Sequence, residues 1–171
     1  DNLTNMESNT YDNLKVDDDN QKLLNFEDEK LNAGNEYTFD DLQSKIDAAY
    51  ASGELNLDAG DFYNNTNSKA IAISQTLTIN GNGHVLSGSG QARIFNIDGH
   101  IVVLNNITFI KGKADDGGAI FASPTSSLSI DSCRFENNTA KNGGAIYLKY
   151  FKSIIMESSF FKNNSATATG G

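Results

Sequence analysis

The feature that most constrains this chain is self-similarity at a period of 26 residues. Asp131-Ser132-Cys133-Arg134-Phe135-Glu136-Asn137-Asn138-Thr139-Ala140 recurs as Glu157-Ser158-Ser159-Phe160-Phe161-Lys162-Asn163-Asn164-Ser165-Ala166. The same shift carries Gly117-Gly118-Ala119-Ile120-Phe121 onto Gly143-Gly144-Ala145-Ile146-Tyr147, Phe109 onto Phe135 and Ile94 onto Ile120, and Gly170-Gly171 opens another copy one residue late. A unit this short cannot enclose a core, so each copy must bury its apolar residues against its neighbours. The copies hold two or three short apolar runs each and no helical segment of about 10–15 residues. The stacked unit is therefore a coil of strands paired in parallel, rising about 4.8 Å per coil. The expected fold is all-β, a right-handed parallel β-helix over residues 54–171.

Alternation assigns the faces. Val102 and Leu104 align with Leu128 and Ile130, and then with Ile154 and Met156, each pair at the period of 2 that points both side chains inward. Ile107 and Phe109, Cys133 and Phe135, and Ser159 and Phe161 form the next inward set. On the following strand two columns compete for the interior, Ala119/Ala145 with Phe121/Tyr147 or Ile120/Ile146. Asn138 and Asn164 are expected to stack at a turn, where asparagine tolerates left-handed backbone and stacked amides bond to one another. The paired glycines permit a tight turn there.

Upstream of the coils the pattern differs. Phe39, Leu42, Ile46 and Ala49 form one stripe of a 3.6-residue period, with Thr38 or Asp40 as the start and Gly53 as the stop. A helix over residues 37–53 is expected to cap the apolar cross-section that a β-helix exposes at its end. Residues 1–36 hold ten acids against three lysines, −7 of the chain's −9 charge. They are expected to be an acidic flexible leader. The remainder is nearly neutral, without the basic stripe a phosphate backbone requires, so nucleic acid is not an expected partner. No run of 18 apolar residues occurs, and no membrane insertion is expected of this stretch. Cys133 is the only cysteine, which excludes an internal disulfide framework.

The tetrapeptides Gly117–Ile120 and Gly143–Ile146, with Phe135–Asn138 and Phe161–Asn164, resemble the two marks of the polymorphic outer-membrane-protein repeat family. The coil before them departs from the pattern, with Gly112 where asparagine is expected. Together with the helix and Leu77-Thr78-Ile79-Asn80-Gly81-Asn82-Gly83, the chain also resembles adhesin-like surface proteins of gut methanogenic archaea. The strong motifs cover residues 105–171 and the weaker resemblance residues 38–104. These resemblances imply a pectate-lyase-like β-helix, export to the cell surface and adhesion.

Chemistry-bearing residues are sparse. Asp131 and Glu157 occupy equivalent positions in adjacent coils, and with Asp98 they come nearest to the paired carboxylates of a polysaccharide-cleaving β-helix. Asp115-Asp116 is replaced by Lys141-Asn142 in the next copy, which favours a solvated turn over a cation site. His84 and His100 lack a second ligand at metal spacing, and Cys133 sits in an inward column as a small apolar residue. No catalytic, cofactor-binding or metal residue is therefore assigned. Asn-x-Ser/Thr triplets begin at Asn2, Asn64, Asn106, Asn137 and Asn163, the last four being glycosylation candidates on an exported chain. Tyr63, Tyr150, Phe151 and Phe160 are read as exposed aromatics, and Tyr150, Phe151 and Phe160 are the candidate ligand surface.

The expected function is a non-catalytic, extracellular adhesin-like module without a cofactor, attaching to a cell-surface glycan or protein of a partner cell. A structural stalk or spacer and a polysaccharide-active enzyme are the alternatives. Because the sequence stops where a new coil opens, further coils in a longer parent and end-to-end self-association are also expected.

Overall fold

A computed structural model describes residues 37–58, 60–64 and 69–170. The leader expected over residues 1–36, with the triplet at Asn2, lies outside them. Among the described residues every strand pairs in parallel, and the strands stack into three long sheets and one short one. Sheet 1 contains β1 (Tyr37–Thr38), β3 (Phe62–Tyr63), β6 (Val85–Ser87), β9 (Thr108–Ile110), β12 (Arg134–Glu136) and β16 (Phe160–Lys162). Sheet 2 contains β2 (Glu54–Asn56), β5 (Leu77–Asn80), β8 (Ile101–Asn105), β11 (Ser127–Asp131) and β15 (Ser153–Glu157). Sheet 3 contains β4 (Ile71–Ile73), β7 (Phe95–Ile97), β10 (Ile120–Ala122) and β14 (Ile146–Leu148), and sheet 4 pairs β13 (Thr139–Asn142) with β17 (Ser165–Thr169). The chain visits sheets 3, 2 and 1 in turn and then repeats, which makes it a parallel β-helix.

The coil length is not constant. In sheet 2, Leu55 pairs with Ile79, Ile79 with Leu104, Leu104 with Ile130 and Ile130 with Met156, steps of 24, 25, 26 and 26 residues. Shorter early coils explain one misalignment in the repeat as read from sequence. Ile120 pairs with Phe95, not with Ile94. The late arrival of Gly170 has a local cause. The β13–β17 register slips between Ala140 and Asn142, so the bulged strand needs one extra residue to bring Thr169 beside Asn142.

The interior is a set of stacked columns. Phe109 and Phe135 lie 4.8 Å apart and 9° from parallel, and Phe135 and Phe161 repeat this at 4.8 Å and 7°. Val102, Leu104, Leu128 and Ile130 are buried as expected, whereas Met156 and Phe161 at the last coil are half-exposed. On sheet 3 the competition is settled by β10, where Ile120 and Ala122 are buried and Phe121 faces outward. Ile120/Ile146 is the inward column and Phe121/Tyr147 the outward one.

The helix, α1 (Phe39–Ala48), begins with a capping box: the Thr38 N–H donates to Asp41 Oδ2 at 2.7 Å, and the Asp41 N–H donates to Thr38 Oγ1 at 3.3 Å. Phe39, Leu42 and Ile46 are buried over the first coil. The helix also satisfies the sheet edge. Gln43 Nε2 donates to Ala72 O at 3.0 Å, and the Ala72 N–H donates to Gln43 Oε1 at 2.8 Å, so one side-chain amide substitutes for a neighbouring strand along β4. Gln75 Nε2 returns a bond to Ile46 O at 2.9 Å, covering a carbonyl at the helix end.

Candidate functional site

The repeat motifs turn out to hold the scaffold. Asn138 is fully buried. Its Nδ2 donates to Phe109 O at 3.1 Å and to Asn164 Oδ1 at 2.9 Å, while its Oδ1 accepts the Gly112 N–H at 2.8 Å. Asn164 repeats the pattern, donating to Phe135 O at 2.8 Å and accepting the Asn138 N–H at 3.0 Å. The expected ladder is present, but the left-handed residue is the one before it: Lys111, Asn137 and Asn163 have φ of 50°, 55° and 53°. Gly117 and Gly143 are left-handed as well, at φ 65° and 57°, and a Cβ on Gly118 would run into the Gly144 carbonyl of the next coil.

The outward faces carry whatever can meet a partner. Sheet 2 presents a polar column of register partners, Asn56, Asn80, Asn105, Asp131 and Glu157. Asn105 Nδ2 donates to Asn80 Oδ1 at 2.9 Å, and Asn80 Nδ2 donates to Asn56 Oδ1 at 2.9 Å, a second amide ladder on the surface. Asp131 and Glu157 are therefore adjacent. Asp98 does not join them; it sits at the corner after β7 and accepts a 2.9 Å bond from Ser123 Oγ. Among the described residues no three His, Cys, Asp or Glu side chains gather as metal ligands. His84 Nδ1 is 3.2 Å from Asp61 Oδ1.

Sheet 3 presents a different column. Ala72, Asn96, Phe121 and Tyr147 are register partners. The Phe121 and Tyr147 rings stack at 6.0 Å, and the Arg93 guanidinium lies 5.0 Å from the Phe121 centroid. Arg93 is fixed from behind by bonds from Nε to Asp116 O and Gly117 O, both at 3.1 Å, and from Nη2 to Asp116 O. Burial lowers its pKa from the ordinary value, with Asp116 and Asp115 acting in the opposite direction. The sequence left Phe121/Tyr147 open as an inward or an outward column; burial of Ile120, with which Phe121 alternates, places it outside.

The aromatic surface expected from sequence is dispersed. Among the described residues Tyr150 is the most exposed large apolar side chain, at the left-handed turn before β15, with Phe151 beside it. Phe160 lies beyond the far end of β15 with Arg134 4.9 Å above its ring. The five residues of β15 separate the two, so the three aromatics form no common platform. Tyr63, read as exposed, is buried. Of the glycosylation candidates, Asn106, Asn137 and Asn163 are exposed and left-handed. Asn64 is buried, with Nδ2 3.4 Å from Lys69 O, which is at odds with a glycan on that nitrogen. Cys133 is buried, and desolvation pushes its thiol up to about 11.

Residues 132–149 match the family model described as the Chlamydia polymorphic membrane protein repeat. The matched stretch runs from the left-handed Ser132 through Phe135–Asn138 and Gly143–Ile146 to Lys149, less than one coil. That coil is similar to a polymorphic-membrane-protein repeat. No curated protein matches the chain, and no solved structure matches it.

Proposed function

We propose that the chain is a non-catalytic, surface-displayed adhesin-like module that attaches to a glycan or protein on a partner cell. The observation that carries this reading is a division of labour between faces. Inward positions repeat from coil to coil, as in Phe109, Phe135 and Phe161 or Asn138 and Asn164. Most outward register partners change, as in Asn96, Phe121 and Tyr147 or Val103, Ser129 and Ile155, while the outward Asn56, Asn80 and Asn105 column of sheet 2 repeats before giving way to Asp131 and Glu157. A scaffold that fixes its backbone from within leaves its outer columns free to vary for recognition. The match to a repeat of membrane proteins supports a surface location. Glycans on Asn106, Asn137 or Asn163 would fit an exported chain.

A second reading rests on Asp131 and Glu157, outward carboxylates on neighbouring strands, which is the arrangement a polysaccharide-cleaving β-helix uses. The test is size-exclusion of fluorescent plant, microbial and host polysaccharides mixed with the purified chain. A polymer shifted to larger size supports attachment. A polymer shifted to smaller size contradicts it and favours cleavage, which loss of the shift in Asp131→Asn and Glu157→Gln then assigns to those residues. No shift for any polymer leaves a protein target or a stalk, which binding to whole cells separates.

A further inference from the structure

The corner after sheet 1 presents a chemistry that neither the core nor the outward columns use. Among the described residues four asparagines have left-handed backbone, Asn82, Asn106, Asn137 and Asn163, and three of them open an Asn-x-Ser/Thr triplet; of the other eight only Asn64 does, and it is buried. The triplets therefore coincide with the corners of the coil. Asn137 follows β12 at φ 55° and is exposed. Asn138 turns inward and is fully buried, and Thr139 returns to the surface. The first and third residues of the triplet thus stand on the solvent side of the rung between them. One coil on, Asn163 (φ 53°) and Ser165 are exposed on either side of Asn164, and Thr139 and Ser165 are register partners. The side-chain bonds at this corner are made by Asn138 and Asn164, and no hydrogen bond within the described residues uses the side chain of Asn137 or Asn163. Asn106 is exposed as well, but the third residue of its triplet, Thr108, lies in β9 and is only 5% exposed, so that triplet is incomplete at the surface.

We propose that Asn137 and Asn163 carry N-linked glycans, transferred to the folded corner from a lipid-linked oligosaccharide. The inference rests on the surface display in the reading above. The acceptor must offer a side-chain amide open to solvent and a hydroxyl two residues on. In the transfer, Asn Nδ2 bonds to the anomeric carbon of the donor sugar. The bond from that carbon to the lipid phosphate breaks, the phosphate leaves with the electron pair, and the amide gives up one proton. The repeat itself builds the acceptor. Its Phe-x-x-Asn motif sets the third residue at left-handed φ, which asparagine tolerates, and buries the fourth. A Thr or Ser after the buried asparagine then completes the triplet outside, as at Thr139 and Ser165. The corner of the coil before, Lys111-Gly112-Lys113, lacks both the amide and the hydroxyl. The two acceptors stand one coil apart, about 4.8 Å, so their sugars edge the solenoid in a row. Added bulk on Asn137 or Asn163 points to solvent and leaves the Asn138–Asn164 ladder in place.

The test is mass spectrometry of peptides that trypsin releases from intact cells making the chain, with the lysate of the same cells run beside them. The peptide of residues 135–141 and the peptide containing Asn163 are expected in the released fraction, each with a sugar mass on the named asparagine. Asn137→Gln and Asn163→Gln, changes at exposed side chains, should each remove one sugar mass. Thr139→Ala should remove the mass at Asn137 although the amide is still there; a mass retained in Thr139→Ala overturns the role of the triplet. Sugar on Asn106 to the same extent as on Asn137 overturns the assignment to the folded corner. Released peptides with no sugar on either asparagine overturn this inference and leave surface display standing. Modified peptides found only in the lysate support the glycans and remove the display. Peptides neither released nor modified remove both.

Discussion

Asn138 and Asn164 are joined twice. The Asn138 side-chain amide and its backbone N–H both donate to Asn164 Oδ1, at 2.9 and 3.0 Å. The Asn164 rung thus satisfies a side chain and a backbone N–H of the coil before it, and the Asn138 rung, fully buried, a backbone N–H and a carbonyl. The Phe-x-x-Asn motif is a device for closing that turn, since the phenylalanine enters the core and supplies the carbonyl to which the next coil's asparagine donates.

Asn138→Ala should therefore cost more than the loss of one contact. It strands the Gly112 N–H and the Phe109 carbonyl in a buried site, for an expected loss of about 2–4 kcal/mol. Asn137→Gly, one residue away but exposed and left-handed, should change stability by no more than about 1 kcal/mol. Urea unfolding of the two variants measures the contrast. Equal effects would mean that the ladder does not hold the turn.

The aromatic column predicts a gradient along the axis. Phe135 is fully buried between two parallel rings, so Phe135→Ala should destabilise by about 3–5 kcal/mol. Phe161 is half-exposed and stacked on one side only, and Phe161→Ala should cost well under half as much. Thermal melts of both variants against the parent test the order.

Gln43→Leu keeps the buried helix face but removes the amide that pairs with both backbone groups of Ala72. The Ala72 amide should lose its protection in hydrogen exchange, and stability should fall by about 1–2 kcal/mol. Retained protection at Ala72 would show that another group covers the β4 edge.

Cys133 predicts an alkaline limit. Its folded pKa, raised to about 11 from 9.0 by burial, means that the native state holds its proton more tightly than the unfolded chain. The stability this contributes is complete below pH 9 and is lost as pH rises toward 11, by up to about 2–3 kcal/mol. A Cys133→Ala variant should lack that part of the decline, and the native thiol should resist maleimide at pH 7.5 until denaturant is added.

Much of this architecture was legible because the interior obeys a strict period. Val102/Leu104, Leu128/Ile130 and Phe109/Phe135 could be aligned and assigned a face from spacing alone, and the stripe Phe39, Leu42, Ile46 declared the helix. The alignment failed at Ile94, where a shorter coil moved the register by one residue. The surface was harder to read. An outward residue is named only by the alternation of its neighbours, and the ambiguity at Ile120 left the side of the Phe121–Tyr147 column open. Nor does Arg93 recur in the repeat; its place is set by carbonyls of Asp116 and Gly117, a coil away in sequence. Tyr150, Phe151 and Phe160 were legible as exposed, but their separation across β15 depends on which sheet each corner serves.

Excision of one coil tests the stacked register most directly. Deleting residues 108–133 joins Ile107 to Arg134, the register partner of Thr108, and returns every inward residue to an inward position. Deleting residues 108–132 instead shifts everything downstream by one and turns Phe135 outward. The 26-residue deletion is predicted to keep parallel-strand circular dichroism and a cooperative melt, and the 25-residue deletion to lose both. Equal behaviour of the two deletions would contradict the in-register coil stack on which the outward columns, and the proposed recognition surface, depend.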